Sequence, residues 1–567
     1  MTLTRFFNDN KWHLLSFFLF LFLSIFLTIG KIGTEFQRYA LLTPDAGVYV
    51  SFVAAQENPQ FFVNDPLLSS EENISDYRMF FYGQIKALRK IFDNYGSAAI
   101  ALVPFGILIH LTGYYALGWA VFRRPGPAVL AALLLSSPMN LGFLRDFWGI
   151  ILEPIPRFFY QGFLAFLLAL SIGQGQNIKR WPIILAYAGL LNYFHPLSTP
   201  PITLGIMLSL WFLVKNETFF TKIKMMSLSV IILLVILLPF LQTFFSSTDI
   251  GAQSEIPYAV AAPIVVERLS PFALHPEQAM LSFISGFRGA GQTLWLALWG
   301  LAIAGLIAQH NRNAQEFYQF RAIWWIITGI LVGAGLLPMM EHKIYSSLAT
   351  FPLEFEMYRG MRYVVPLLLL LNLYLIWKYA EQKNLPQKFA VLGSILLLGV
   401  WGYYGILFQK SDIAQATRQN LKCFLKSQIV CSLPSNEKDF IDTMDALRNK
   451  TPIGARILSE GQEVAIRYYA LRPLAYSYKD GPPFAYTDHH ALMTWYKDYQ
   501  TMNELAGLRK HSFRRKGFIN KFVKFAYQIE ADYLVLSEPY QPEKYNHPAL
   551  IMIYSNDHYT IFKISKE

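Results

Sequence analysis

The sequence predicts an α-helical polytopic membrane protein with a soluble α/β domain at its C-terminal end. Three observations predict it. Apolar segments of membrane-spanning length recur up to about residue 408, basic residues gather at alternate connections between them, and apolar runs shorten beyond Pro434 as strand-like stretches begin. Bulk composition agrees: 54% of residues are hydrophobic and only 15% charged, a departure from soluble averages in the membrane direction.

The first apolar segment, Leu14 to Ile29, reads LLSFFLFLFLSIFLTI. At about −0.3 to −0.6 kcal/mol per Leu, Ile or Phe it should insert with several kcal/mol to spare. No small-x-small cleavage site follows, so it reads as a retained first helix rather than a signal peptide. Further spans fall near residues 97–122, 127–144, 158–173, 182–194, 198–214, 225–245, 293–309, 322–340, 363–379 and 389–408, about eleven transmembrane helices in all. The 182–194 segment is short and interrupted by Asn192, His195 and Pro196, the pattern of a broken helix lining a cavity.

The formal net charge is +11, but its placement argues against nucleic acid as a partner. Arg5 and Lys11, Arg123 and Arg124, Lys179 and Arg180, Lys215 with Lys222 and Lys224, Arg312 with Arg321, and Lys378 with Lys383 and Lys388 mark alternate connections. The positive-inside rule makes those connections cytoplasmic, together with the N-terminus. An odd span count then puts the C-terminus outside. The outer face receives the long segments 31–96, 246–292 and 341–362 and the tail, which divides the chain into a membrane domain, 1–410, and an extracytoplasmic α/β domain, 411–567. No GxxxxGK[ST] or strand-linked GxGxxG occurs, which argues against an ATP-driven pump or a nucleotide-sugar enzyme.

In the tail, strands are expected at 455–459, 474–478, 531–537, 549–554 and 559–564, with helices around 437–449, 462–470, 490–506 and 516–529. Cys423 and Cys431, close in sequence and outside the membrane, fit a disulfide in an oxidising compartment, with two unpaired thiols as the alternative. Asp488, His489 and His490 could indicate a metal, but three adjacent side chains converge poorly and a turn before the next helix explains them. No metal site and no cofactor is indicated, although a divalent metal stays possible.

Candidate chemistry lies in the outer loops. Asp45 opens a short helix running to Gln56, either as an N-terminal cap or as a functional acid. Residues 77–92 alternate apolar and basic side chains at helical spacing, as in a helix lying in the interface plane. Arg145, Asp146, Glu153 and Arg157 sit at or near membrane depth, where ionisable groups form pairs, pathways or sites. His195 is equally readable as a satisfied core histidine or as a phosphate contact. Arg359 and Arg362, three apart before a span, match a phosphate, because a guanidinium binds its oxygens bidentately while staying charged; salt bridges to Glu354 and Glu356 are the alternative.

These features together resemble the GT-C superfamily of integral membrane glycosyltransferases. The resembling parts are a single first helix, a first loop opening on Asp45 in TPDAGVY and containing NPQFFVNDPL, the HPLS step at His195, the arginine pair in YRGMRY and a soluble α/β tail. Members related to protein mannosyltransferases often carry a paired acid where this chain has Asp45-Ala46. The resemblance implies an inverting glycosyltransferase of the bacterial inner membrane. It would move a sugar from a polyprenyl-phosphate donor to a lipid, glycan or protein acceptor on the periplasmic face, among membrane lipids as further partners. It makes Asp45, with Asp146 or Glu153, the catalytic acids, and Arg359, Arg362, His195 and Arg157 the donor-phosphate ligands. The rival reading is a lipid or glycan transporter, or a non-catalytic scaffold with an outer binding domain.

Overall fold

A computed structural model describes residues 3–32, 42, 44–74, 79–141, 146–214, 217–247, 260, 263–264, 266–267, 272, 275–285, 290–309, 317–348, 356–402, 417–418, 435–461, 464–509, 515–541 and 547–565. Cys423 and Cys431 lie outside the described residues. The order begins with α1 (Leu3–Ile32), α2 (Pro44–Glu57), α3 (Met79–Arg89), α4 (Tyr95–Ile100) and α5 (Val103–Phe122). There follow α6 (Pro125–Ser136), a hairpin of β1 (Met139–Leu141) and β2 (Asp146–Trp148), then α7 (Pro156–Gln174), α8 (Trp181–Leu191), α9 (Thr199–Leu213) and α10 (Phe219–Ser247). The membrane part closes with α11 (Pro276–Ser285), α12 (Ala290–Gln309), α13 (Tyr318–Leu348), a 3₁₀ helix at Met357–Tyr363, α14 (Val364–Gln382) and α15 (Gln387–Gly402).

Six helices among the described residues are long and apolar enough to cross a membrane, which makes this a multi-pass membrane protein. They fall at Lys11–Ile29, Tyr95–Phe122, Pro156–Gln174, Phe219–Gln242, Tyr318–Ile344 and Met357–Gln382; Pro125–Ser136, Thr199–Leu213, Thr293–Ala308 and Gln387–Gly402 are shorter apolar helices. The expected span at 127–144 is a correction: its helix stops at Ser136 and the chain turns into the β1–β2 hairpin. Pro138 is the reason, because the residue before a proline is pushed out of helical geometry, and Ser137 is extended with ψ 128°. Small residues bring the helices close. A Cβ on Gly162 of α7 would come 2.9 Å from the His110 nitrogen of α5, and one on Gly205 of α9 would come 2.5 Å from the Ile326 carbonyl of α13.

Two helices next to polar turns, α6 and α8, are much too short to cross the bilayer. The 12 residues of α6 and 11 of α8 rise about 18 and 16 Å at 1.5 Å per residue, against a hydrocarbon core about 30 Å thick. Both start beside basic residues, Arg123–Arg124 and Lys179–Arg180. Their far ends, the hairpin and the turn Asn192–Ser198, therefore come down to bilayer depth, where irregular backbone is tolerated beside protein or a cavity rather than against lipid.

The rest of the chain contains α16 (Ser435–Lys450), β3 (Ile457–Ser459), a π-turn at Ile466–Ala470, α17 (Gly481–Thr487), α18 (His489–Arg509), α19 (Arg515–Gln528), β4 (Tyr533–Leu536), β5 (Leu550–Ser555) and β6 (Thr560–Ile564). The sheet order is β3-β4-β6-β5, parallel between β3 and β4 and antiparallel elsewhere. The expected strand at 474–478 is reduced to a single bridge, Leu474 with Ile457.

This sheet shares one hydrophobic core with the segment between α1 and α5: Phe52, Phe62, Leu67 and Phe81 pack with Ile457, Tyr468, Phe522 and Phe562. The apolar face of α3, including Phe81, Tyr82 and Ile85, is buried in protein, so it does not rest on lipid as the interface-plane reading expects. A buried ion triad fastens the two segments. Arg467 donates from Nε and Nη2 to the Asp65 carboxylate, both at 2.8 Å, and from Nη1 and Nη2 to Asp480 at 2.7 and 2.8 Å. All three residues are at most 1% exposed. Asp65 also accepts the backbone N–H groups of Leu67, Leu68 and Leu474.

Candidate functional site

A polar nest is built by α5, α7, α9, the β2 strand and the 3₁₀ helix before α14. The 3₁₀ helix seats on the first turn of α9, where a Cβ on Gly360 would touch Pro201 at 3.1 Å. With three residues per turn, Arg359 and Arg362 fall on one side of it. Their surroundings differ. Arg359, partly exposed, is paired with Glu356 at 2.5 Å, the salt bridge left open from the sequence. Arg362 is wholly buried, its Nε donating to the Arg359 carbonyl at 2.9 Å and its guanidinium 5.8 Å from the Tyr363 ring centroid.

From Arg362 the nest continues through aromatic rings. Tyr363 meets Tyr160 at 5.6 Å and Trp148 at 5.5 Å between centroids, and Tyr160 meets His195 at 5.5 Å. The Thr199 hydroxyl donates to the His195 carbonyl at 3.0 Å and lies 3.4 Å from the Tyr160 hydroxyl. His195 reaches this position because α8 ends at Leu191 and the turn before α9 presents it at depth. Arg157, half-buried, stands one helical turn before Tyr160 on α7, on the same face, and Glu153 is buried just ahead of that helix.

The arrangement gathers a wholly buried guanidinium and hydroxyl groups beside a half-buried imidazole. Such a set offers several donors to a tetrahedral anion at once, and a low local dielectric strengthens each of those bonds. Two members escaped the sequence reading. His110 and Tyr114 on α5 are wholly buried, 4.9 Å apart between centroids, and Tyr114 lies 5.9 Å from Trp148. Among the described residues neither ring nitrogen of His110 nor the Tyr114 hydroxyl has a hydrogen-bond partner. The signal was present in GILIHLTGYY, since an ionisable residue inside an apolar span is a site candidate by default.

The predicted acids take other positions. Asp45 opens α2, with its side chain 57% exposed and ion-paired to Lys479 in the turn before α17. Asp146 lies on β2, opposite Leu141 in the hairpin. Asp65 is saturated by the triad and by three backbone N–H groups, so it has a structural role. Asp488 caps α18 through the Ala491 N–H, and the His489 ring bonds the Ala485 carbonyl. Among the described residues no group of three or more His, Cys, Asp or Glu is placed to hold a metal ion.

No family model matches the chain, and no curated protein does. Among solved structures, it is similar to the crystal structure of ArnT from Cupriavidus metallidurans bound to undecaprenyl phosphate, at 13% sequence identity and a TM-score of 0.41, covering 98% of this chain and 98% of that chain.

Proposed function

We propose that this protein is a membrane glycosyltransferase that takes a sugar from a polyprenyl-phosphate carrier. The observation that carries the reading is wholly buried Arg362, set with Tyr160, Tyr363, Thr199 and His195 at bilayer depth. A carrier lipid brings its phosphate to that depth while its chain stays among the spans. Arg362 and His195 hold the phosphate oxygens, with Arg157 at the edge of the nest and Arg359, already paired with Glu356, as an outer electrostatic contributor.

Transfer is a displacement at the anomeric carbon: the acceptor oxygen forms a bond to that carbon as its bond to the phosphate oxygen breaks, with inversion. The leaving phosphate keeps the electron pair, and a carboxylate takes the acceptor's hydroxyl proton. Asp45 is that carboxylate once its pair with Lys479 opens, with Asp146 or Glu153 completing the acidic face. The nest and the outer unit then work from the periplasmic side of a bacterial inner membrane, on a lipid, glycan or protein acceptor. The unwound Asn192–Ser198 turn also fits a lipid transporter, which would move the carrier without breaking the sugar–phosphate bond.

The test is binding of undecaprenyl phosphate to purified protein in nanodiscs. Arg362→Gln should weaken it at least tenfold, the loss of one charge-assisted contact of about 1.5–3 kcal/mol. Unchanged affinity, at a melting temperature matched to wild type, would remove Arg362 from the site.

A further inference from the structure

A second candidate site lies toward the C-terminal end of α14, away from the 3₁₀ helix that carries Arg362. A groove of about 470 Å³ runs between α12, α14 and α15, lined by Leu301, Leu375, Ile376, Tyr379, Phe389 and Leu397. Its lining is almost wholly apolar. Along α14 it extends from Asn372 to Ala380, about 12 Å at 1.5 Å per residue, most of the depth of one leaflet of a core about 30 Å thick. Two hydrogen bonds fix its walls: Asn372 Nδ2 donates to the Leu298 carbonyl of α12 at 3.1 Å, and Trp377 Nε1 to the Ser394 hydroxyl of α15 at 3.0 Å. These two bonds tie α14 to α12 on one side of the groove and to α15 on the other.

Charge at the shallow end selects an occupant. Arg124, Lys378, Lys383 and Lys388 gather there with Glu381, which pairs with Arg124 at 3.1 Å and with Lys378 at 3.0 Å. Glu381 thus answers Arg124 and Lys378, which leaves Lys383 and Lys388 as an excess of positive charge at this end. Lys383 and Lys388 are exposed, and the Lys388 ammonium lies 5.9 Å from the ring centroid of Phe389, which itself lines the groove. Tyr379, on the rim and more than half exposed, has the amphipathic side chain favoured at head-group level.

We propose that this groove holds one acyl chain of an anionic diacyl phospholipid, whose phosphodiester rests on Lys383 and Lys388. The chain covers the exposed leucines and Phe389, and the head group answers the excess positive charge. The site stands apart from the nest and does not depend on the glycosyltransferase reading.

The experiment measures lipid retention by native mass spectrometry, after extracting the full chain from nanodiscs of phosphatidylglycerol and phosphatidylcholine in equal parts. Wild type should keep one phosphatidylglycerol that the double variant Lys383→Gln/Lys388→Gln binds about thirtyfold more weakly, at about 1 kcal/mol for each lysine near the head group. Ala390→Trp, which fills the groove, should remove the same lipid at unchanged surface charge. Equal retention of phosphatidylglycerol by wild type and the lysine double variant would overturn the proposal. So would retention of phosphatidylcholine in its place, or displacement of the bound lipid by undecaprenyl phosphate added at equal mole fraction.

Discussion

Replacing Arg467 with Met tests what joins the segment between α1 and α5 to the C-terminal sheet unit. In wild type its guanidinium spans two carboxylates and makes four hydrogen bonds of 2.7–2.8 Å, all out of contact with water. Methionine fills much the same volume and leaves Asp65 and Asp480 side by side with no cation. Removing one partner of a buried pair costs about 3–5 kcal/mol, and here two pairs share the residue removed, so the upper end is expected. For a unit of this size each kcal/mol lowers the melting temperature by about 2–4 °C, so a drop of about 10 °C or more should follow. The loss should also depend on pH. Burial already holds the Asp480 carboxyl above the usual carboxylate range, with Arg467 opposing the shift. Without Arg467 that carboxyl rises further, and a folded-state pKa raised above the unfolded value gives stability that is present in acid and lost as pH rises through it. The deficit of Arg467→Met should therefore be small near pH 5 and large near pH 8. Asp480→Asn, which leaves the Asp65–Arg467 pair intact, should cost less, about 1.5–3 kcal/mol. The assay is intrinsic-fluorescence melting in detergent across that pH range. A variant melting within about 2 °C of wild type at pH 8, where about 10 °C or more is expected, would refute the reasoning, as would a deficit that shrinks with rising pH.

Three other outcomes follow from the same structure. Asp45→Asn should lower sugar transfer by about a hundredfold, the usual contribution of general-base catalysis, while the melting temperature barely moves because an exposed ion pair is worth about 0–1 kcal/mol; near-wild-type turnover would leave Asp45 as a cap. Asp498, half-buried beside Arg456, has its pKa raised to about 6 by burial, against the pull of Arg456 and Lys497. Its ionisation thus removes stability as pH rises from about 4 to about 6, and Asp498→Asn should stabilise the outer unit at pH 7.5, by no more than about 1 kcal/mol after solvent screening, with the gain gone near pH 4; a gain that persists in acid would contradict this. A C-terminal alkaline phosphatase fusion should be active in a bacterial host, as the basic connections require, and an active cytoplasmic reporter at the same position would reverse the orientation.

The sequence by itself determined where helices form and which stretches are apolar enough for a bilayer, because hydropathy and the placement of lysine and arginine are local properties of a segment. It also marked the break at Asn192–Ser198 and the polar positions His195 and Arg362, since each interrupts or borders an apolar run. The end of α6 at Ser136 was legible too, in Pro138, but its apolar neighbours concealed it. Tertiary structure alone decided which arginine of YRGMRY is buried: one is paired with Glu356 and the other is enclosed by α7 and α9, a choice that depends on how the 3₁₀ helix seats on Pro201. It likewise decided that Asp65 is structural, because the cation that saturates it comes from 402 residues away. Partners at such separations leave no periodicity in either segment, and only the closing of the shared core brings them within hydrogen-bonding distance.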